Sequence, residues 1–101
     1  MSKAKKQKID RHTTLSCISV PEDRIEDKKK NKIIASLQRN GWGVVAEQER
    51  YRFLHFNKQT HSDVLQILDK LDCNEEGWCV YDLSFHNAED VQNIVDSAEW
   101  K

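Results

Sequence analysis

A chain of 101 residues with 33% charged side chains and a net charge of −1 has the size of one domain and no strong uniform field of either sign. It buries roughly two-thirds of the surface its unfolded form exposes, enough for one core without disulfide or metal staples. No run of ~20 apolar residues could span a membrane, and the basic start Met-Ser-Lys-Ala-Lys-Lys-Gln-Lys lacks the apolar stretch of a secretory signal, so a cytoplasmic protein is expected.

The distribution of charge says more than its sum. Lys3, Lys5, Lys6 and Lys8 form a basic tail, Lys28, Lys29, Lys30 and Lys32 a second cluster, and acidic residues dominate from Asp63 onward. Such clusters fit a flexible tail and a solvated helix face; they also fit contact with phosphates or with an acidic protein. The cysteines, Cys17, Cys73 and Cys79, are odd in number and show no C-x-x-C spacing. Zinc and thiol redox chemistry are not indicated, and the thiols read as reduced and structural.

Residues 1–11 lack apolar periodicity and read as a flexible basic leader to a single domain over 12–101. From His12 to Val20 a mixture of β-branched and apolar residues predicts a first strand, ended by Pro21, which cannot donate to a ladder. Ser19 and Glu22 have the spacing of a capping box, and a helix is expected from about Glu22 to Arg39. Its stripe is Ile25, Ile33, Ile34 and Leu37, interrupted by Lys29, with Asn40-Gly41 as C-cap.

Gly41 to Phe56 predicts a central hairpin. Val44 and Ala46 alternate with Val45 and Glu47, and Arg52, Leu54 and Phe56 with Tyr51, Phe53 and His55. The connection Gln48-Glu49-Arg50 has no Gly, Asn or Asp, so a single long strand competes with the hairpin. Thr60-His-Ser-Asp63 is a capping pattern opening a helix with the stripe Val64, Leu65, Leu68 and Leu71. After the loop Asn74-Glu-Glu-Gly77, Trp78 to Phe85 predicts a fourth strand with Cys79, Tyr81, Leu83 and Phe85 on one face. Asn87 caps a last helix with the stripe Val91, Ile94, Val95 and Ala98. The order β-α-β-β-α-β plus a helix predicts an α+β fold of ferredoxin-like type, an antiparallel sheet with two helices on one face and an extra C-terminal helix.

Catalytic chemistry finds little footing. The carboxylates lie near no nucleophile motif. His12, His55, His61 and His86 form no metal-ligand spacing, and Gly41-Trp42-Gly43 lacks the rest of a phosphate loop. The expectation is a non-enzyme without cofactor or metal.

Two binding surfaces suggest themselves instead. Tyr51-Arg52-Phe53-Leu54-His55-Phe56 matches the second half of the strand signature by which RNA-recognition motifs stack bases on an open sheet face. Arg50 and Arg52 stand where small residues are usual, and the first strand offers no aromatic partner. The nucleic-acid candidates are thus Arg50, Tyr51, Arg52, Phe53, His55, Lys28, Lys29 and Lys30. In the bland reading, Tyr51 and Phe53 are buried under the last helix or in a homodimer. Trp42 and Trp78 each follow a glycine at the mouth of a strand, where a ring either closes the rim of the core or anchors a protein partner.

From Thr13 to Leu83 the chain resembles the family of regulator of ribonuclease E activity B, the ribonuclease E inhibitor domain. The likeness lies in Ala35-Ser36-Leu37 leading to Gly41-Trp42-Gly43-Val44, and in Leu68-Asp69-Lys70-Leu71-Asp72 followed by Glu76-Gly77-Trp78 and Tyr81. Glu76 replaces the family's Asp, Asn74-Glu75 replaces the preceding Tyr context, and a basic leader stands in for an acidic tail. The resemblance implies a cytoplasmic regulatory protein that binds and inhibits an endoribonuclease, with Trp42, Glu76, Trp78 and Tyr81 as candidate partner-binding residues. RNA binding through the open sheet face is the alternative, and a phage or mobile-element inhibitor of a host protein has the same outward form.

Overall fold

The computed structural model describes residues 14–73, 76–84 and 87–100; the expected leader and the proposed strand start at His12 lie outside them. In chain order the elements are β1 (Thr14–Pro21), a 3-10 turn (Glu22–Arg24), α1 (Asp27–Arg39), β2 (Gly43–Glu47), β3 (Arg50–His55), α2 (His61–Lys70), β4 (Cys79–Ser84) and α3 (Ala88–Ser97). They build a mixed α+β fold on a four-stranded sheet of order β2-β3-β1-β4, antiparallel at every pairing. No described helix is long and apolar enough to cross a membrane.

Strand alternation divides the core in two. Ile18 and Val20 of β1, Val44 of β2 and Phe53 of β3 point to one face, where they pack with Ile33 and Leu37 of α1 and Val64 and Leu68 of α2. Leu15 and Cys17 of β1 and Leu54 of β3 point to the other, where α3 covers them with Val91 and Val95. Ile67, rather than the expected Leu65, joins the apolar side of α2. The sheet therefore carries helices on both faces.

The first helix differs from expectation at its start. Glu22–Arg24 make a single 3-10 turn, Ile25 is extended at φ −114° and ψ 116°, and α1 begins only at Asp27 without a side-chain cap. Ile25 is 4% exposed, and burying such a side chain stabilises by about 1.5–3 kcal/mol, more than a few extra residues of solvent-exposed helix offer. The anticipated capping box is not formed; the Ser19 hydroxyl accepts from Arg50 instead.

The other caps follow their residues. Thr60 and Asp63 form a reciprocal capping box on α2, and Asn87 accepts the Asp90 amide of α3. At the end of α1, Trp42 N–H donates to the Leu37 carbonyl at 3.0 Å and Gly41 N–H to that of Gln38 at 3.1 Å, a Schellman stop that places Gly41 at φ +97°. The same pair of bonds ends α2, from Cys73 to Leu68 and from Asp72 to Asp69, with Asp72 at φ +55°. Lys29, the residue that interrupts the stripe of α1, donates to the Asp72 carbonyl at 2.7 Å. The hairpin is real: Glu47 pairs with Arg50, and Glu49 takes the left-handed conformation at φ +64° in place of a glycine.

After α3 the chain closes the β2 edge. Val44 and Glu99 exchange backbone hydrogen bonds of 3.0 and 2.8 Å. The Trp100 ring stacks on Phe56 with centroids 5.2 Å apart, and its indole donates to the Val95 carbonyl at 3.1 Å. Gly43 makes this possible, since a Cβ there would lie 2.5 Å from the Trp100 ring.

Two substitutions separate these constraints. Gly41→Ala combines a left-handed backbone with a Cβ only 2.6 Å from His55 Nε2 and is expected to cost about 1–3 kcal/mol. In calorimetry that is a fall in Tm of roughly 4–8 °C per kcal/mol. Gly43→Ala should displace Trp100 and raise the hydrogen-exchange rate of the Val44 amide while leaving amides of β1 protected.

Candidate functional site

The sequence candidates do not form one site. Trp42 is fully buried and meets His55 edge-on at 5.0 Å, and Trp78, 6% exposed, stacks on Phe53 at 6.0 Å. Both rings are core, so neither can anchor a partner in this fold. Glu76 is exposed and pairs with Arg24 at 3.1 Å. Tyr81 is half-buried on the α3 face.

The stacking set comes apart for a reason of phase. Tyr51 and Phe53 pair with Val20 and Ile18, and paired residues share a face, so Phe53 joins the core beneath α1 and α2 and Tyr51 packs half-buried against it. Phe53 is fully buried and unable to stack a base. His55 is buried too. Its Nδ1 accepts from the Asn57 amide at 3.0 Å, so Nε2 carries the hydrogen and donates to the Asn40 carbonyl at 2.9 Å. Lys28, Lys29 and Lys30 lie on α1, across the sheet from Arg50 and Arg52.

The second face is half covered. A ten-residue helix is about 15 Å long and 10 Å wide, against a sheet roughly 19 Å wide and 20 Å along its strands. α3 lies over the cross-strand row Gly43, Leu54, Cys17 and Tyr81 and over Leu15 and Leu83. The next row, Val45, Arg52, Ser19 and Cys79, and the one beyond it, Glu47, Arg50 and Pro21, are intermediate or exposed. Most of the apolar residues thus sit under the helix, Val45 packs at its margin, and the less covered half carries two arginines, the Glu47 carboxylate, a hydroxyl, a thiol and Pro21.

Arg50 donates through Nη1 to Ser19 Oγ. Arg52 reaches Glu47 Oε1 through Nη2 at only 3.5 Å, and its Nε is buried with no acceptor among the described residues. The buried Nε is out of reach of an incoming group, but the long Nη2 contact leaves the Nη donors of Arg52 for a second carboxylate. Sequence reasoning singled out both arginines but tied them to the aromatics of the opposite phase. It missed Ser19 and Glu47, whose cross-strand register with Arg52 and Arg50 was the available signal.

The thiols around this patch differ in reactivity. Burial pushes the Cys17 thiol up to about 12, against the charge of Arg52 and a hydrogen bond with Tyr81, which pull it down. Burial also raises the Tyr81 phenol and the Cys73 thiol. Only a thiolate is nucleophilic, so Cys17 is a packing residue, whereas Cys79 is exposed. No disulfide joins the three cysteines, and no group of three His, Cys, Asp or Glu among the described residues could hold a metal. A shallow depression of about 260 Å³ between the 3-10 turn, α1 and the loop after α2 is lined by charges of both signs, including Arg24, Glu26, Lys29 and Asp72.

In native protein, alkylation at mildly alkaline pH should label Cys79 first and Cys17 only on denaturation, as read by peptide mass spectrometry. Because the folded state holds the Cys17 proton beyond its ordinary value of 9.0, its contribution is full below pH 9 and is lost as pH rises toward 12. Cys17→Ala should flatten that alkaline loss of stability.

Searches against protein-family models, curated proteins and solved structures match the chain to none of them.

Proposed function

We propose that this chain is a cytoplasmic, non-enzymatic regulatory protein that acts by binding a protein partner through the uncovered half of its second sheet face. The observation that carries this reading is Arg52, whose Nη2 makes only a 3.5 Å contact with Glu47, beside Arg50, on a sheet half that α3 leaves open. Counted from β4, the strand order is 4-1-3-2 with α1 and α2 packed on one face, which supports a ferredoxin-like arrangement with α3 added on the other.

A protein partner is favoured over RNA. Phe53 is in the core and Tyr51 packs half-buried against it on the opposite face, and the exposed carboxylates Glu47, Glu89, Asp90 and Asp96 sit on the same side as the two arginines, where they oppose a phosphate backbone. The resemblance to ribonuclease E regulators makes an endoribonuclease of that type the partner class to test first. Gly77, at φ +88°, and the buried Trp78 are structural residues within the shared motif, so contact is assigned to the arginine face instead.

In a cleavage assay with a ribonuclease E-type enzyme, the protein should inhibit, and Arg50→Glu with Arg52→Glu should weaken inhibition at least tenfold while the circular-dichroism spectrum is unchanged. Full potency in that variant would remove the arginine face from the reading, and no inhibition by the wild type would remove the ribonuclease. Trp78→Ala, by contrast, should act on stability, costing about 3–5 kcal/mol as a large-to-small core substitution.

A further inference from the structure

The side of the molecule that carries the open cationic half also carries its complement. α3 contains no lysine or arginine, and Glu89, Asp90 and Asp96 are exposed along it. Among the described residues none of the three lies within ion-pair distance of a cation; Asp96 only accepts from Gln92 at 2.8 Å. Glu89 and Asp96, seven residues apart, share one acidic face of the helix, over one half of a sheet whose other half presents Arg50 and Arg52 with Glu47 beside them. We propose that the occupant of the open half-face is a second copy of this chain, related by a two-fold axis that lays the acidic face of each α3 against the arginines of the other. This rests on the reading that the open half-face binds protein.

The geometry points to a two-fold pair because ridge and recess belong to one side of one protomer. A two-fold axis makes a self-complementary surface meet itself, so each charge contact is made twice. The helix that shields half of its own sheet would then shield the remaining half of its partner's, bringing the exposed parts of Pro21 and Val45 under cover. Charge supplies the register, since like-charged alignments of the same surfaces repel. Contacts of this kind between exposed side chains are individually weak and screened by salt, so the dimer forms at low ionic strength and dissociates as salt is added. Self-association and binding of another protein at this face would compete.

A charge-swap experiment on the full chain tests this, with mass read by light scattering or sedimentation and folding checked by circular dichroism. The wild type should dimerise at low salt and become monomeric at high salt. Arg50→Glu/Arg52→Glu and Glu89→Lys/Asp96→Lys should each be monomeric alone, with association weakened at least tenfold. Mixed in equal amounts they should form a heterodimer, because one contact is then native and the other inverted. If a reversal variant does not fold, Arg50→Gln/Arg52→Gln and Glu89→Gln/Asp96→Gln replace it, and each should remain monomeric. A wild type that is monomeric at every salt and protein concentration, or folded reversal variants that dimerise alone or stay monomeric together, would overturn the second copy as occupant. In that event, loss of ribonuclease inhibition in the arginine variant would still uphold a protein-binding face, whereas unchanged inhibition would overturn both.

Discussion

The structure depends on the burial of the first half of β1, Leu15 to Ile18, on both of its faces. Leu15 and Cys17 on one side, and Ile18 and Val20 on the other, are all fully buried. A strand of this kind has to lie in the interior of a sheet, and that sheet needs a cover on each face. The two crossovers place α1 and α2 on the first. Only α3 remains for the second, and ten residues are too few to span it. Half-coverage is thus a consequence of the central strand and the length of the last helix, and the change from apolar to charged residues along β3, from Leu54 to Arg52 and Arg50, follows the boundary of that cover.

The edges of the sheet are handled unequally. An edge strand presents unpaired backbone groups that invite another chain. At β2 the segment after α3 supplies that pairing through Glu99, and Trp100 locks it over Gly43. The same ring reaches Phe56, so the end of α3, the β2 edge and the exit of β3 form one small apolar cluster. This clasp holds α3 over the Leu15 end of the face and leaves the Arg50 end uncovered. The position of the candidate site thus depends on a contact at the other end of the same strand pair, β2 and β3.

Much of this was legible in the residues. Thr60 with Asp63 and Asn87 marked the starts of α2 and α3, Asn40-Gly41 marked the end of α1, and the hydrophobic periods placed all four strands. What failed were decisions that depend on distant parts of the chain. Glu22 and Asp23 favour a helix locally, but Ile25 gains more from the core than from helical geometry. Gln48-Glu49 carries no turn signal, yet cross-strand pairing holds Glu49 in a left-handed conformation that isolated glutamate avoids. Trp42 and Trp78 at strand mouths looked alike as rim or anchor. Nothing local states that His55 and Phe53 wait to receive them.

The phase of β3 had the largest consequence. In Arg50-Tyr51-Arg52-Phe53-Leu54-His55 the aromatic and the cationic residues alternate, so they cannot share a face. A motif read linearly merges them into one nucleic-acid surface; the pleat divides them into a core half and a surface half. Which half faces outward is decided by cross-strand partners. Tyr51 and Phe53 lie opposite Val20 and Ile18, whereas Arg52 lies opposite Ser19 and Val45. Apolar area goes beneath the two-helix layer because that is the thicker cover, and the arginines are left to the face with one short helix. The same alternation that withdraws Phe53 into the core therefore places two guanidinium groups on the sheet face that carries the acidic helix α3.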